Sequence, residues 1–118
     1  MTLSECFTAL GGNYDEVIGR LRSERIVRKF VLKFLTDDSF ANLCRALEEG
    51  NGEEAFRAAH TIKGICQNLG FDRLYKSSSR LTEELRSGGK PEKTDLFRDV
   101  EADYQVTMAA IRRLQEEG

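Results

Sequence analysis

Apolar residues recur along this chain at steps of three and four positions, and no stretch sustains the alternation of apolar and polar residues that is typical of a strand. The clearest example is SERIVRKFVLKFLTDD, residues 23–38, where apolar residues share one side of a helix and basic residues occupy the other. The apolar side, which we expect to face the core, consists of Ile26, Val27, Phe30, Val31, Phe34 and Leu35. The pattern therefore predicts an all-α protein.

Turn-forming residues divide the chain into helices. Glycine and asparagine cluster at positions 11–13 and 50–52, a glycine stands at 70, and two glycines at 88–89 precede Pro91. The predicted helices before the first long one cover residues 3–10 and 14–21, and the longer ones that follow end at about 50, 70 and 88. We expect Asp72 to cap the helix that follows the turn at 70, and Pro91 to occupy the first turn of the last helix.

These helices predict a bundle. Short connections between long helices favour antiparallel neighbours, so we expect an up-and-down antiparallel four-helix bundle with short additional helices at the N-terminus. Residues 1–118 then form a single domain, with the short helices in about 1–22 and the bundle in about 23–118. A chain of this length can bury a core without disulfides or a structural metal.

Composition narrows the function classes. The residues are 40% hydrophobic and 32% charged, a balance that disfavours disorder, and the formal net charge of −2 disfavours a non-specific nucleic-acid binder. The three cysteines, Cys6, Cys44 and Cys66, are odd in number and widely spaced, which argues against a disulfide framework and against a CxxC zinc site. No apolar run approaches the length of a membrane span and the first residues do not resemble a signal peptide, so we expect a cytoplasmic protein.

The chain's only histidine, His60, lies in AFRAAHTIKGICQNLG, residues 55–70. The buried stripe of this predicted helix consists of Ala55, Ala59, Ile62, Cys66 and Leu69. His60 falls away from that stripe, and its neighbours on the outer face, three, four and seven residues on, are Lys63, Gly64 and Gln67. The imidazole is therefore predicted to face solvent with an ammonium group nearby.

This pattern suggests nucleophilic chemistry. A glycine inside a helix costs about 0.5–1 kcal/mol relative to alanine, and here it clears the space one turn from His60. A neutral imidazole carries an unprotonated ring nitrogen that can attack an electrophile brought by another protein. Lys63 can neutralise the charge of a transferring phosphoryl group, and Arg57 adds to the same positive surface.

The run AHTIKG, followed by NLG at residues 68–70, resembles the histidine-containing phosphotransfer (HPt) domain of bacterial multistep phosphorelays. The length of the chain, the helix hairpin from about 52 to 88 and the long final helix are similar to that family as well. The resemblance implies that His60 accepts a phosphoryl group from an aspartyl phosphate of one receiver domain and passes it to the aspartate of another. It further implies that Lys63 stabilises phosphate oxygens, and that Gly64 lets the receiver approach.

The resemblance also implies the partners. These are response-regulator receiver domains, with a hybrid sensor histidine kinase as a further candidate, and the expected Mg²⁺ ion belongs to the partner receiver. Members of the family often hold the histidine ring with a polar side chain of the next helix, and Ser79 or Thr82 is the candidate here. The chain has no Gly-rich nucleotide loop, so we expect a monomeric phosphoryl carrier without autonomous kinase activity, intrinsic cofactor or bound metal.

Several residues keep two interpretations. Arg73, Lys76 and Arg80 form a basic stripe, which is either a solvated face or a contact for phosphate or the receiver. Phe56 either belongs to an exposed docking patch or packs against a neighbouring helix. Gln67 is a candidate contact at the rim of the site.

Two alternative functions stay open. One is a non-phosphorylated helical adaptor that binds receiver or kinase domains. The other is a redox or metal sensor that uses Cys44 and Cys66, although Cys66 and His60 point to different sides of their helix. Neither nucleic acid nor a membrane is an expected partner.

Overall fold

The computed structural model describes residues 1–118 and is built entirely of helices, as the sequence predicts. Seven α-helices follow one another along the chain, with a short 3-10 helix at Phe34–Thr36. They are α1 (Leu3–Leu10), α2 (Tyr14–Leu21), α3 (Glu24–Lys33), α4 (Ser39–Glu48), α5 (Gly52–Leu69), α6 (Asp72–Arg86) and α7 (Asp95–Glu117).

Local side-chain chemistry sets the start of several helices. The hydroxyl of Thr2 accepts from the backbone N–H of Glu5, whose carboxylate accepts from the Thr2 N–H in return, so α1 begins with a capping box. Asn13, Ser23 and Asn51 cap α2, α3 and α5 in the same way, each through a side-chain oxygen that accepts a backbone N–H. These polar caps satisfy donors that would otherwise have no partner at the helix ends.

Helices α4 to α7 form the bundle. Each packs against the next along the chain, and α7 returns to α4, where Phe40 stacks on Tyr104 with ring centroids 4.0 Å apart. The short helix α1 packs on α7, where the Cys6 thiol lies 3.6 Å from the Ala110 carbonyl oxygen, and it buries Leu3, Phe7 and Leu10 in the core. One continuous apolar core therefore runs through the bundle and its N-terminal helices.

The N-terminal loop docks on the turn between α5 and α6. The backbone N–H of Asn13 donates to the carbonyl oxygen of Gly70 at 2.9 Å, and the N–H of Arg73 donates to the carbonyl oxygen of Gly11 at 3.1 Å. A Cβ atom on Gly12 would lie 2.6 Å from the Gly70 carbonyl oxygen, so only glycine permits this approach. The loop thus fixes the end of the helix that carries His60.

Three details of the predicted elements are wrong. Ile26 and Phe30 are 40% and 43% exposed, because only the side of α3 that carries Val27 and Val31 reaches the core. Pro91 lies outside α7, which begins at Asp95 after Thr94 takes the N-cap position. Asp72 is the first residue of α6 rather than its cap, where its charge still favours the helix dipole.

Candidate functional site

The helix that carries the candidate site, α5, has one buried and one exposed face. The predicted stripe of Ala55, Ala59, Ile62, Cys66 and Leu69 is buried, as expected. Helices α4 and α6 cover it from both sides. The opposite face is left to solvent.

His60 lies on that exposed face, about halfway along α5. Its ring stacks on the ring of Phe56, one turn earlier, with centroids 5.8 Å apart and an interplanar angle of 11°. No protein group forms a hydrogen bond or ion pair with the imidazole. Both ring nitrogens are thus free to meet a partner.

The two cations near His60 differ in their pairing. Arg57 binds two carboxylates of its own helix, Glu54 at 2.6 Å and Glu53 at 3.3 Å, so much of its charge is neutralised locally. Lys63 is half-buried and has no carboxylate within 4.0 Å. Lys63 is therefore the unpaired cation one turn from His60 on α5, whereas Arg57 contributes less positive charge than its position in the sequence indicates.

Gly64 leaves open space next to His60. A Cβ atom built at this position meets no atom within 4 Å, so no packing or backbone conformation within the chain requires glycine there. Gln67 is exposed one turn further along the same face. Gly64 lowers the stability of the helix relative to alanine, and no contact within the chain compensates for that loss. The surface beside the imidazole is left without a side chain at this position.

The hydroxyl groups of α6 do not orient His60. Thr82 is fully buried and donates its proton to the carbonyl oxygen of Ser78 at 2.7 Å. The Ser79 hydroxyl oxygen is buried and has no hydrogen-bond partner. Neither hydroxyl forms the predicted polar contact with the imidazole, and that of Thr82 is occupied by a bond within its own helix.

Phe56 joins the two helices of the hairpin. Its half-buried ring packs against the core, and the Arg86 guanidinium of α6 lies 5.1 Å from the ring centroid. Glu83 holds Arg86 through an ion pair at 3.2 Å. The helical pattern alone does not point to Arg86. Phe56 and Arg86 stand at equal sequence distances from the turn between two antiparallel helices, which is the signal that could have paired them.

The basic stripe of α6 stays exposed. Lys76 and Arg80 both face solvent and have no carboxylate within 4.0 Å. Arg73, by contrast, lies against Gly11 of the docked N-terminal loop. None of the three forms an ion pair, but Lys76 and Arg80 are the two whose side chains do not lie against the N-terminal loop.

An open cleft of about 760 Å³ lies beside the C-terminal half of α5. Its apolar wall combines Leu21 and Phe30 of the N-terminal helices with Ile65 and Leu69 of α5. The α5 residues of this wall begin about 8 Å along the helix axis from His60. The helical pattern does not predict the cleft, because the cleft wall includes Phe30, which that pattern assigns to the core.

The cysteines do not belong to this site. Burial raises the pKa of the Cys6 thiol to about 11 and raises that of Cys66 further, so both stay protonated at neutral pH. Burial also raises the pKa of the half-buried Cys44. No cluster of three or more metal-ligating side chains occurs in the chain, and none of its helices is both long and apolar enough to cross a membrane.

One comparison with known proteins places the chain in a family. A family model described as Hpt domain matches residues 33–116, which is most of the chain. Searches of the curated proteins and of the solved structures gave no significant match. At the level of the family, an Hpt domain implies histidine phosphotransfer in a phosphorelay, with receiver domains or kinases as partners. The bundle, the exposed histidine in AHTIKG and the family match lead to one conclusion: this chain belongs to the Hpt domain family.

Proposed function

We propose that this protein relays a phosphoryl group between receiver-domain aspartates through His60. The observation that carries the proposal is the composition of one exposed surface of α5: an imidazole without hydrogen-bond partners, an unpaired ammonium at Lys63 and open space at Gly64. These groups are the ones that an in-line phosphoryl transfer between two proteins needs, namely a nucleophile, a cation and room for the donor.

The proposed reaction exchanges one bond to phosphorus for another. The lone pair of the unprotonated imidazole nitrogen attacks the phosphorus of an aspartyl phosphate, so that an N–P bond forms. The P–O bond to the aspartate breaks, and its electron pair leaves with the carboxylate. The proton on the other ring nitrogen can stay in place, and the reverse sequence passes the group to the next aspartate. Lys63 lowers the barrier by balancing the charge on the phosphoryl oxygens.

The partner supplies the rest of the site. The Mg²⁺ ion that neutralises the acyl phosphate belongs to the receiver, so this protein acts as a phosphoryl carrier without kinase activity of its own. Gln67, Lys76 and Arg80, all exposed, are candidate contacts for the receiver. Monomeric state and cytoplasmic location stay predictions.

The cleft beside α5 supports a second candidate function, a helical adaptor that docks receiver or kinase domains without chemistry. A His60→Gln variant separates the two candidates, because the substitution removes the nucleophile and leaves the cleft intact. Docking of a receiver is measured by calorimetry, and phosphoryl flux by transfer of labelled phosphate between two receivers. The carrier proposal expects docking to persist and flux to disappear. Equal flux in the wild type and the variant would favour the adaptor.

A further inference from the structure

Three side chains form a continuous arrangement across the hairpin of α5 and α6, which we call the Phe56 stack: His60, Phe56 and Arg86. The imidazole lies nearly parallel to the phenyl ring, and the guanidinium lies over that ring at 5.1 Å from its centroid. The family match assigns no role to Phe56 or Arg86.

The central ring of the Phe56 stack is well restrained. Phe56 is half-buried and packs against the core, so its ring cannot swing into solvent without losing apolar contacts. Arg86 adds a cation–π contact from the neighbouring helix, and the ion pair with Glu83 limits the movement of Arg86 itself. An exposed side chain that packs in an offset, nearly parallel arrangement beside this ring therefore has fewer accessible rotamers than a free surface histidine.

His60 has no other orienting contact. Thr82 directs its hydroxyl proton at the carbonyl oxygen of Ser78, and the Ser79 hydroxyl has no hydrogen-bond partner. The face of Phe56 is thus the one directional contact that the chain offers to the imidazole.

We propose that Phe56 is the positioning residue for His60: its ring holds the plane of the imidazole so that a ring nitrogen points outward over Gly64. The proposal rests on the proposed function, because it assigns to Phe56 the task of presenting the nucleophile. A flat stack fixes the plane of the imidazole but forms no hydrogen bond to either nitrogen. Phe56 therefore limits the rotation of the ring and leaves both tautomers accessible, unlike a polar side chain that would select one of them.

Two variants and one control test the proposal. Phe56→Leu keeps an apolar side chain in the same place but removes the ring face, whereas Phe56→Tyr keeps the ring. Tyr14→Leu is the matched control, since Tyr14 is a half-buried aromatic residue on α2 that packs against the core and forms no ring pair with His60.

The first readout is nuclear magnetic resonance of the unphosphorylated protein. Because His60 is the only histidine of the untagged chain, its two ring C–H signals are unambiguous. The phenyl ring current is expected to displace these signals in the wild type and in Phe56→Tyr, and the displacement disappears in Phe56→Leu. Unchanged signals in Phe56→Leu would show that Phe56 does not stack on His60. This result does not depend on whether the protein acts as a phosphoryl carrier.

The second readout is single-turnover phosphoryl transfer from a phosphorylated receiver over a range of receiver concentrations. We expect Phe56→Leu to lower the saturating rate about threefold to tenfold, with an unchanged half-saturating concentration. Phe56→Tyr and the control Tyr14→Leu are both expected to keep the wild-type saturating rate.

The outcomes separate this inference from the proposed function. A Phe56→Leu variant that transfers at the wild-type saturating rate, or that changes only the half-saturating concentration, would overturn the positioning role. If the wild type itself accepts no phosphate from any receiver, the proposed function fails, and the resonance signals still decide whether Phe56 holds the imidazole.

Discussion

Replacement of Gly64 by alanine is expected to stabilise the protein and to slow its function. Gly64 lies inside an 18-residue helix, and an added Cβ atom meets no atom within 4 Å. The substitution therefore removes the entropic cost of glycine without creating a clash, a gain of about 0.5–1 kcal/mol in the free energy of unfolding. For a domain of this size, the melting temperature should rise by roughly 2–6 °C.

The same methyl group occupies the space that we assign to the incoming receiver. A displacement of the donor by about 1 Å can cost two orders of magnitude in rate, so we expect the second-order rate constant of phosphoryl transfer to fall at least about tenfold. Urea or thermal unfolding measures the stability of the variant, and rapid-quench transfer from a phosphorylated receiver measures its rate.

Gly19 provides the matched control. It lies on the exposed side of the short helix α2, and a Cβ atom there also meets nothing within 4 Å. Gly19→Ala should stabilise the protein to a similar extent and leave transfer unchanged. The reasoning is refuted if Gly64→Ala transfers at the wild-type rate, since its side chain would then not obstruct the receiver, or if it unfolds more easily than the wild type.

Three further substitutions test other parts of the account. Lys63→Gln removes the unpaired cation and should lower the saturating transfer rate roughly tenfold without affecting the urea midpoint, and an unchanged rate would exclude an electrostatic role. Gly70→Ala should lower the free energy of unfolding, measured with urea, by about 2–4 kcal/mol, because Gly70 has a φ of +68° and an added Cβ would overlap Val17. A loss below about 1 kcal/mol would mean that the loop adjusts to the added methyl group. Burial raises the pKa of the thiols of Cys66 and Cys6, the latter to about 11, so the folded state keeps protons that the unfolded chain loses. The contribution of these thiols to stability is therefore fully present below about pH 8.5, and above that pH the free energy of unfolding falls by up to about 1.4 kcal/mol per pH unit per thiol. Unfolding curves between about pH 7.5 and pH 10 should show a shallower decline of this free energy in Cys66→Ala than in the wild type. Equal slopes in the two proteins would mean that the Cys66 pKa is not raised in the folded state.

The helical pattern predicts most of this fold because each bundle helix buries a single stripe. In α5, the residues from Ala55 to Leu69 that recur at three and four positions are the ones that the structure buries. The prediction fails in α3, where Ile26 and Phe30 share the apolar side with Val27 but lie beyond the edge of the contact with the core. Apolar spacing indicates which side of a helix can be buried, and the neighbouring helices decide how wide the buried stripe is.

The residues of the candidate site follow from local spacing, whereas their tertiary partners do not. One turn of helix places Lys63 and Gly64 beside His60, so the sequence alone suffices to group them. The pairing of Arg57 with Glu53 and Glu54 also lies within one helix, but it depends on which of several nearby charges the arginine meets.

The contact of Arg86 with Phe56 requires the register between α5 and α6, and their equal sequence distance from the turn indicates the pair only once these helices are known to pack side by side. The same holds for the approach of Gly12 to Gly70, which depends on where the N-terminal loop docks. Such contacts become visible only when the packing of the helices is known.

The central claim is that His60 carries the phosphoryl group, and the chemical stability of the incorporated phosphate tests it most directly. The untagged protein is mixed with a labelled, phosphorylated receiver and Mg²⁺, separated from it, and divided between acid and alkali. The account predicts label that acid releases and alkali preserves, as for a phosphorus–nitrogen bond, and no label on the His60→Gln variant. Label that alkali removes, or that persists in His60→Gln, would place the phosphate on another side chain and contradict the account.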